Sequence, residues 1–346
     1  MNRDEYIFRC AAENGDLETV RRRVSNGCDI HVYHDYALRK AVHRGHTSIA
    51  IFLIDNGADI HVNNDICIRT ASRHGYTEIV SYLCFRGANI HVYNNISVRW
   101  ASHNGHLDVV KCLCDSGANI NYCDNFVLRT AAERGHTEII EYILDTYVVT
   151  TLEINELIRI ATLRNHLSVV KCLVKYDADI HLNDDSLLCD AVSDGYFSVV
   201  KFFIEHGANV EADKHYPICR AICVGNYEIT KYLFDNGADI HANHDYCLCR
   251  AAITNDFYLM KYLIEHGANI RAVIFRHKYQ QSATQFLLNN IMLENNDYNV
   301  ESSMYKLLGI VEHRYLSRSI KKITRDRISF HEKMLCDRAY SDISIN

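Results

Sequence analysis

Residues 45–61 read GHTSIAIFLIDNGADIH, and this stretch decides the fold because its pattern returns at a fixed interval. Thirty positions later, residues 75–80 read GYTEIV and residues 87–91 read GANIH. After a further 30 positions, residues 105–110 read GHLDVV and residues 117–120 read GANI. A constant period of roughly 20–50 residues is typical of a solenoid, in which each unit packs only against its neighbours.

One alanine in each copy shows how strict the period is. It recurs every 30 residues without insertion or deletion, and an apolar residue stands three positions before it in every copy. The alanines are Ala11, Ala41, Ala71, Ala101, Ala131, Ala161, Ala191, Ala221 and Ala251. These nine copies predict one long array of stacked units.

Each copy is predicted to contain two short helices and a turn. We expect Asp35 to cap the first helix of its copy, Leu38 to face the core, and Gly45 to end that helix in a left-handed turn. Gly57 then ends the second helix, and Ile60 points inward. The predicted fold class is therefore all-α, a solenoid of stacked helix-turn-helix units with short loops.

The pattern resembles the ankyrin repeat over roughly residues 5–272, through its Gly-His pairs, paired aliphatic residues and Gly-Ala-Asp-Ile elements. Two features depart from the usual unit of about 33 residues. The Thr-Pro pair is missing, with arginine in place of its histidine, and the loop between Gly57 and Ile68 is shorter, which predicts a trimmed hairpin. Units of 30 residues are similar to those in the ankyrin families of giant DNA viruses of the mimivirus type.

We divide the chain into an ankyrin-repeat solenoid at residues 1–272 and a helical cap with a basic tail at residues 273–346. Helical apolar patterns at 281–293 and 303–311 predict the cap, which would cover the last repeat. Residues 314–338 are basic, with more lysine and arginine than aspartate and glutamate.

The solenoid is atypical near residues 145–177. Tyr147 begins the stretch where Gly-Ala-Asp-Ile is due, and Asn165 and Asp177 replace turn glycines. Asn and Asp tolerate left-handed backbone, so we expect both turns to form. We predict a weaker interface or an altered loop at residues 145–156.

Composition points to an intracellular protein. No apolar stretch is long enough to span a bilayer, and the polar start MNRDE does not resemble a signal peptide. Several of the 14 cysteines stand where other copies have aliphatic or aromatic residues, as expected of reduced thiols that pack as small apolar groups. We expect the protein in the cytoplasm or nucleus, not secreted, and without a membrane partner.

No motif predicts catalysis. The sequence has no phosphate-binding glycine-rich loop, no His-Glu-x-x-His and no nucleophile elbow, so we expect no enzyme and no cofactor. Loop histidines recur near cysteines, but no Cys-x-x-Cys pair is followed by a matching second pair, so we expect no metal site.

A ladder of arginines occupies one position in six copies, and two interpretations are open. It could form a basic stripe that attracts an acidic partner. Alternatively, each guanidinium bonds loop acceptors of adjoining units such as Asp29, Asp59, Asn89 or Asn119, which is the interpretation we favour. The ladder is Arg9, Arg39, Arg69, Arg99, Arg129 and Arg159.

The resemblance implies a non-enzymatic protein–protein interaction scaffold that binds its partner through a concave surface of loops and first helices. Exposed aromatic and basic residues on such a rim are typical hot spots. The candidate partner-binding residues are Tyr33, Tyr36, His43, Arg44, Tyr93, Trp100, His103, Phe126, Arg134, Tyr216 and Tyr246. We expect a monomer that binds a protein partner.

Two alternatives involve the C-terminal tail. Resemblance to some viral ankyrin proteins would allow an adaptor that recruits host ubiquitin machinery, although the tail lacks the Leu-Pro start of an F-box. The basic segment 314–338 could bind nucleic acid, although the repeats carry an excess of acidic side chains and no aromatic-interleaved basic motif is present.

Overall fold

Each copy of the repeat folds as a pair of helices, and within each of two units the copies stack in sequence order. The computed structural model describes residues 3–120, 122–254 and 256–269, and within these ranges it contains helices α1–α18 and no strand. The predicted all-α class is confirmed for this part of the chain. The chain divides after Leu182 into two compact units, which we call unit 1 and unit 2.

The helix bounds follow the 30-residue period. Unit 1 contains α1 (Arg3–Asn14), α2 (Leu17–Ser25), α3 (Val32–Arg44), α4 (Thr47–Asp55), α5 (Val62–His74), α6 (Thr77–Phe85), α7 (Val92–His103), α8 (Leu107–Asp115), α9 (Tyr122–Arg134), α10 (Thr137–Thr146), α11 (Thr151–Leu163) and α12 (Leu167–Lys175). The helix α13 (Leu182–Asp194) begins at the division, and unit 2 continues with α14 (Phe197–Glu205), α15 (Ala212–Cys223), α16 (Tyr227–Asp235), α17 (Ala242–Thr254) and α18 (Phe257–Glu265).

Odd-numbered helices are the first helices of their copies and even-numbered helices are the second. In unit 1 the first helices α1, α3, α5, α7 and α9 pack in succession, and so do the second helices α2 to α12. In unit 2, α15 packs on α17 and α14 packs on α16. Within each unit, these helices bury their apolar stripes against the neighbouring copy, as in a solenoid.

The core explains the alanine period. Ala41, Ala71 and Ala101 are completely buried in the first helices, where a small side chain lets neighbouring helices approach closely. Second helices supply the larger apolar groups, such as Ile79 and Leu83. Burial of this repeated apolar set is the main favourable term in folding the array. Leu38 and Ile60 are also buried, as predicted.

The turn between the two helices of a copy is left-handed in the copies from Gly15 to Gly225, as the glycines predict. Gly45 follows α3 with φ +75°, and its N–H donates to the carbonyls of Val42 and Ala41. Asn165 and Asp177 adopt φ +59° and +64°, which confirms that both can replace glycine in these turns.

A second left-handed turn, between copies, was not predicted. Tyr33, His34 and Asp35 all have φ between +52° and +56°, directly before the right-handed part of α3. The same three positions are left-handed at 63–65, 93–95, 183–185, 213–215 and 243–245. We call these three-residue segments the left-handed turns. They occupy the place of the trimmed hairpin expected from the sequence.

The predicted cap at Asp35 is wrong because this turn gives the carboxylate a different partner. The buried side chain accepts a hydrogen bond at 3.0 Å from the N–H of Asp59, in the loop that follows α4, and lies 3.0 Å from His31 Nδ1. Asp65 accepts from the Asn89 N–H at 2.8 Å in the same way. The acidic residue therefore joins the left-handed turn at the start of a copy to the loop at its end.

The altered loop predicted at residues 145–156 is present. Tyr147 ends α10 in extended backbone, and α11 begins without a left-handed turn. Thr150 and Glu153 form a capping box, in which each side chain bonds the other residue's backbone N–H. Val148 is left 97% exposed, where other copies bury an alanine.

The helical cap and basic tail predicted at 273–346, including 314–338, lie outside the described residues. None of the helices in the described ranges is both long and apolar enough to cross a bilayer.

Candidate functional site

Two residues of the arginine ladder, Arg39 and Arg69, support left-handed turns of unit 1. Arg39 donates from Nε to the His34 carbonyl and from Nη2 to the Tyr33 carbonyl, both at 2.8 Å. Arg69 repeats this arrangement on residues 63 and 64, with both distances 2.9 Å. Three consecutive left-handed residues hold their carbonyls outside the following helix, so the guanidinium supplies the donors that the helix does not.

This geometry corrects the acceptors expected from the sequence. For Arg39 and Arg69 the bonds go to backbone carbonyls of the same copy, and not to the loop side chains Asp29, Asp59, Asn89 or Asn119. Asp59 instead bonds the N–H of His61, two residues further on. The expectation was wrong because it assumed a hairpin where the chain forms a left-handed turn.

The ladder also holds aromatic side chains of the following copy. The Arg9 guanidinium lies 4.6 Å from the ring centre of Tyr33 and 4.8 Å from that of Tyr36. Arg69 lies 5.0 Å from the Tyr93 ring. Such cation–π contacts contribute about 0.5–1 kcal/mol each at exposed sites.

Two of these aromatic side chains remain open to solvent. Tyr33 is 49% exposed and Tyr93 is 56% exposed. The Tyr93 hydroxyl also accepts a hydrogen bond from Asn64 Nδ2 at 2.8 Å. Arginine thus covers one face of each ring and Asn64 also holds the Tyr93 hydroxyl, while about half of each side chain is exposed. We call the exposed parts of the left-handed turns of unit 1, at Tyr33, His34, Asn63, Asn64, Tyr93 and Asn94, the turn surface.

Tyr36 and Arg44 both donate hydrogen bonds to the carboxylate of Glu13. Glu13 accepts hydrogen bonds from Arg44 Nη2 at 3.1 Å, Lys40 Nζ at 3.3 Å and the Tyr36 hydroxyl at 3.4 Å. The bonds from Arg44 and Lys40 hold the pKa of Glu13 below its usual value. His43, exposed beside them, packs its ring 5.4 Å from that of His74.

The middle of unit 1 holds four more candidates. Trp100 is half-buried with the Arg73 guanidinium 5.4 Å from its ring, and Phe126 is half-buried 4.0 Å from Arg99. Burial lowers the pKa of His103, and the nearby charge of the exposed Arg134 adds to the effect. The His103 carbonyl lies 3.1 Å from His136 Nε2.

The last two candidates lie in unit 2. The Tyr216 hydroxyl is 3.3 Å from Ser193 Oγ, and the Tyr246 hydroxyl is 3.0 Å from Cys223 Sγ. The contact with Cys223, followed by burial, raises the pKa of Tyr246 to about 12. These two residues bridge neighbouring copies, but they belong to a different unit from the turn surface.

The structure thus brings Tyr33, Tyr36 and Arg9 together, and it pairs Phe126 with Arg99. Sequence reasoning treated the arginines and the aromatic residues as separate features. The signal that joins them is spacing, because Tyr33 follows Arg9, and Tyr93 follows Arg69, by 24 residues. Glu13 and Asn64 were missed, and no local pattern marks them.

We find no candidate metal site among the described residues. No group of three or more His, Cys, Asp or Glu side chains there is arranged to hold a metal ion. Loop histidines pair instead with a residue of their own turn, as His61 Nδ1 does with Asp65 at 2.9 Å.

Comparison with protein families identifies the repeat. A family model of three ankyrin repeats matches residues 8–94, 157–244 and 188–274, which together make up more than half of the chain. A model of a single ankyrin repeat matches residues 99–125. A comparison with curated proteins found none that matches.

Proposed function

Because this chain belongs to the ankyrin repeat family, whose repeats are general protein–protein interaction modules, we propose that it is a non-enzymatic scaffold that binds a partner protein. The binding site is the turn surface of unit 1 together with the adjoining ends of the first helices. The family's function as an interaction scaffold supports the absence of catalysis.

The observation that carries this proposal is the pair of held but exposed tyrosines. Tyr33 and Tyr93 keep about half of their surface in solvent while Arg9 and Arg69 cover one face of each ring. A side chain that is already ordered loses little entropy when a partner covers it. Tyrosine and arginine are also the residue types that contribute most at protein interfaces.

The partner is a host protein in the cytoplasm or nucleus, and the scaffold acts as a monomer. The likeness of the 30-residue units to those of viral ankyrin families supports a host partner. The free cysteines throughout the described residues are compatible with a reducing compartment.

Affinity capture with the full chain as bait tests the proposal. The double variant Tyr33→Ala and Tyr93→Ala removes both exposed rings, and quantitative mass spectrometry compares the proteins that it and the original chain retain. We expect at least a tenfold loss of the specific partner, the effect of removing hot-spot residues. The control is Phe85→Ala, which removes a ring that is 83% exposed on α6, away from the turns.

Equal capture by the double variant and the Phe85 control would contradict this site. A chain ending at residue 272 then separates the remaining possibilities. A partner lost with residues 273–346 would assign binding to the tail, including the ubiquitin-adaptor alternative. Capture of nucleic acid that weakens steeply with salt would assign function to the basic segment 314–338.

A further inference from the structure

Basic side chains end three neighbouring first helices in the middle of unit 1. Arg73 and His74 belong to the last turn of α5, His103 to that of α7 and Arg134 to that of α9. The helix α7 packs on both α5 and α9, so the three helix ends are neighbours. On α5 and α7 they lie at the opposite end from the left-handed turn. We call these four residues the basic helix ends.

Within the described residues, no carboxylate neutralises the arginines of the basic helix ends. Three of the four residues are exposed, and His103 is half-buried. In this part of the chain neither Arg73 nor Arg134 forms an ion pair, and the nearby Glu133 carboxylate bonds Arg164 at 2.7 Å instead. Two positive charges are therefore available to an anionic group.

The positive charges of the basic helix ends oppose protonation of the two histidines. Burial, with the nearby His43 and Arg73, lowers the pKa of His74. Burial, with the nearby Arg134 and Arg73, lowers the pKa of His103. An anion beside these rings would act in the opposite direction and favour their protonated forms. The other titratable groups near the two rings are His106, Glu133 and His136.

The fold does not require basic residues at these positions. A cation at the end of a helix can stabilise it through the helix dipole. In unit 2, however, the equivalent positions hold Ser193 and Asp194 in α13, and Ile253 and Thr254 in α17. Both helices form without a basic residue in the last turn. The basic helix ends of unit 1 therefore serve something other than the repeat fold.

Trp100 gives the basic helix ends an aromatic centre. The ring is half-buried on α7, and the Arg73 guanidinium lies 5.4 Å from it. His103 follows three residues later, so the two side chains share a face of the helix. Because Trp100 is the single tryptophan of the chain, its fluorescence reports on this surface alone.

We propose that the basic helix ends bind an acidic peptide segment, whose carboxylates pair with the arginines and histidines and whose chain crosses Trp100. The inference rests on the proposed binding function and names the chemistry of the partner. Packed helices lie about 8–10 Å apart, and an extended peptide advances about 3.3 Å per residue. An acidic residue at roughly every third position therefore matches one copy each. Carboxylates also suit the two-pronged geometry of a guanidinium.

The surrounding charges favour a peptide over a nucleic acid. Glu78, Asp108 and Glu138 are exposed in the first turns of α6, α8 and α10, four or five residues beyond the basic helix ends. A nucleic-acid surface is basic over a whole face, whereas here each base is followed closely by an acid. A peptide with separated carboxylates can meet the bases and avoid the acids.

Titration followed by the fluorescence of Trp100 tests the proposal on the full chain. The probe is a capped peptide in which Glu-Gly-Ser is repeated three times, and the control peptide carries Gln in place of Glu. At low ionic strength and about pH 6.5, we expect a saturable change in emission with a Kd below about 1 mM. The Gln peptide should produce no saturable change.

Variants assign the binding to the basic helix ends. Arg73→Gln combined with Arg134→Gln should weaken binding of the Glu peptide by roughly fivefold or more, because two ion pairs are lost. The matched control is Lys111→Gln, which removes an exposed positive charge from the second helix α8. Its Kd should change by less than about twofold, since salt screens charges at a distance.

The pH dependence gives a readout that lost packing would not. Binding should be tighter at pH 6 than at pH 8, because carboxylates favour protonated His74 and His103 and both rings protonate as the pH falls. The combined variant His74→Gln and His103→Gln should lose most of this dependence while retaining both arginines.

Four results would overturn the proposal. They are no saturable response to the Glu peptide, an equal response to the Gln peptide, an equal loss in Lys111→Gln, and tighter binding of a thymidine dodecanucleotide than of the peptide. The titration uses no partner protein, whereas the capture experiment uses no acidic probe. Loss of the captured partner in the Tyr33 and Tyr93 variant, without peptide binding, would support the turn surface and reject the acidic ligand.

Discussion

Arg39 and Arg69 offset the strain of turns that non-glycine residues seldom adopt. A left-handed conformation costs about 1–2 kcal/mol for each residue with a Cβ atom, and each turn contains three such residues. The guanidinium donates two hydrogen bonds to carbonyls of that turn, and bonds from a charged donor contribute about 1.5–3 kcal/mol each. These two arginines of the ladder therefore stabilise the fold.

Arg69→Ala is therefore expected to lower the free energy of unfolding by about 2–3 kcal/mol, because two turn carbonyls lose their charged donor. Urea unfolding followed by circular dichroism measures the change. Arg134→Ala is the control, since Arg134 is exposed at the end of α9. This substitution should change the free energy of unfolding by no more than about 0.5 kcal/mol. Equal effects of the two substitutions would contradict the role of the ladder.

The acidic residue of the left-handed turn gives a second prediction. Asp65→Ala leaves the Asn89 N–H without its acceptor and should lower the free energy of unfolding by about 1–3 kcal/mol. Asp65→Asn should cost less, because Asn95 already accepts the N–H of Asn119 at the equivalent position. Thermal unfolding of the two variants and the original chain measures both losses of stability. Equal losses for the two variants would show that the charge of Asp65, and not its acceptor oxygen, stabilises the fold.

At the scale of the helix pair, the glycine between the two helices of a copy fixes their turn. A Cβ atom at Gly45 would lie 2.7 Å from the Tyr76 ring of the next copy, whereas Gly87, after the second helix, has open space around the same atom. Both residues have positive φ, so alanine is strained at either position.

Gly45→Ala should therefore destabilise the chain more than Gly87→Ala, with the second costing about 1 kcal/mol. The difference between their unfolding midpoints isolates the contact with Tyr76. If the two variants unfold at the same denaturant concentration, the aromatic ring moves aside without cost and the contact is unimportant.

The helix pairs could be predicted from the sequence, but the turn between copies could not. Alanine and glycine recur because packing and positive φ restrict those positions, so Ala41 and Gly45 mark the elements directly. The left-handed turns have a weaker signal. Asn63, Asn64 and Asp65 favour them, but Tyr33 and His34 do not. Those residues adopt the turn because Arg39 and the neighbouring copy hold it.

At the scale of the whole molecule, stability is a sum over interfaces between copies, so one irregular copy weakens the array locally. We predict faster hydrogen exchange at residues 145–156 than at 85–95. The Ala88 N–H bonds the Leu83 carbonyl at 2.9 Å in the regular copy, whereas Val148 is almost fully exposed at the equivalent position. Exchange at 145–156 that is no faster than at 85–95 would refute this prediction.

The residues of the candidate site could be predicted from the sequence, but the contacts that hold them could not. Aromatic residues at the copy boundaries were identified from the sequence, and Tyr33 and Tyr93 do lie exposed there. Their anchoring by arginines of the preceding copy depends on how two copies stack. That arrangement arises from the left-handed turn, so it could not be derived before the turn was known.

The bonds from Asp35 to Asp59 and from Asp65 to Asn89 share a direction along the chain. In both, the acceptor precedes its donor by 24 residues. A ribosome synthesises the N-terminal side first, so each carboxylate emerges before the backbone group that will satisfy it exists. Each of these bonds can therefore form only after the donor residue, 24 positions further along, has been added to the chain.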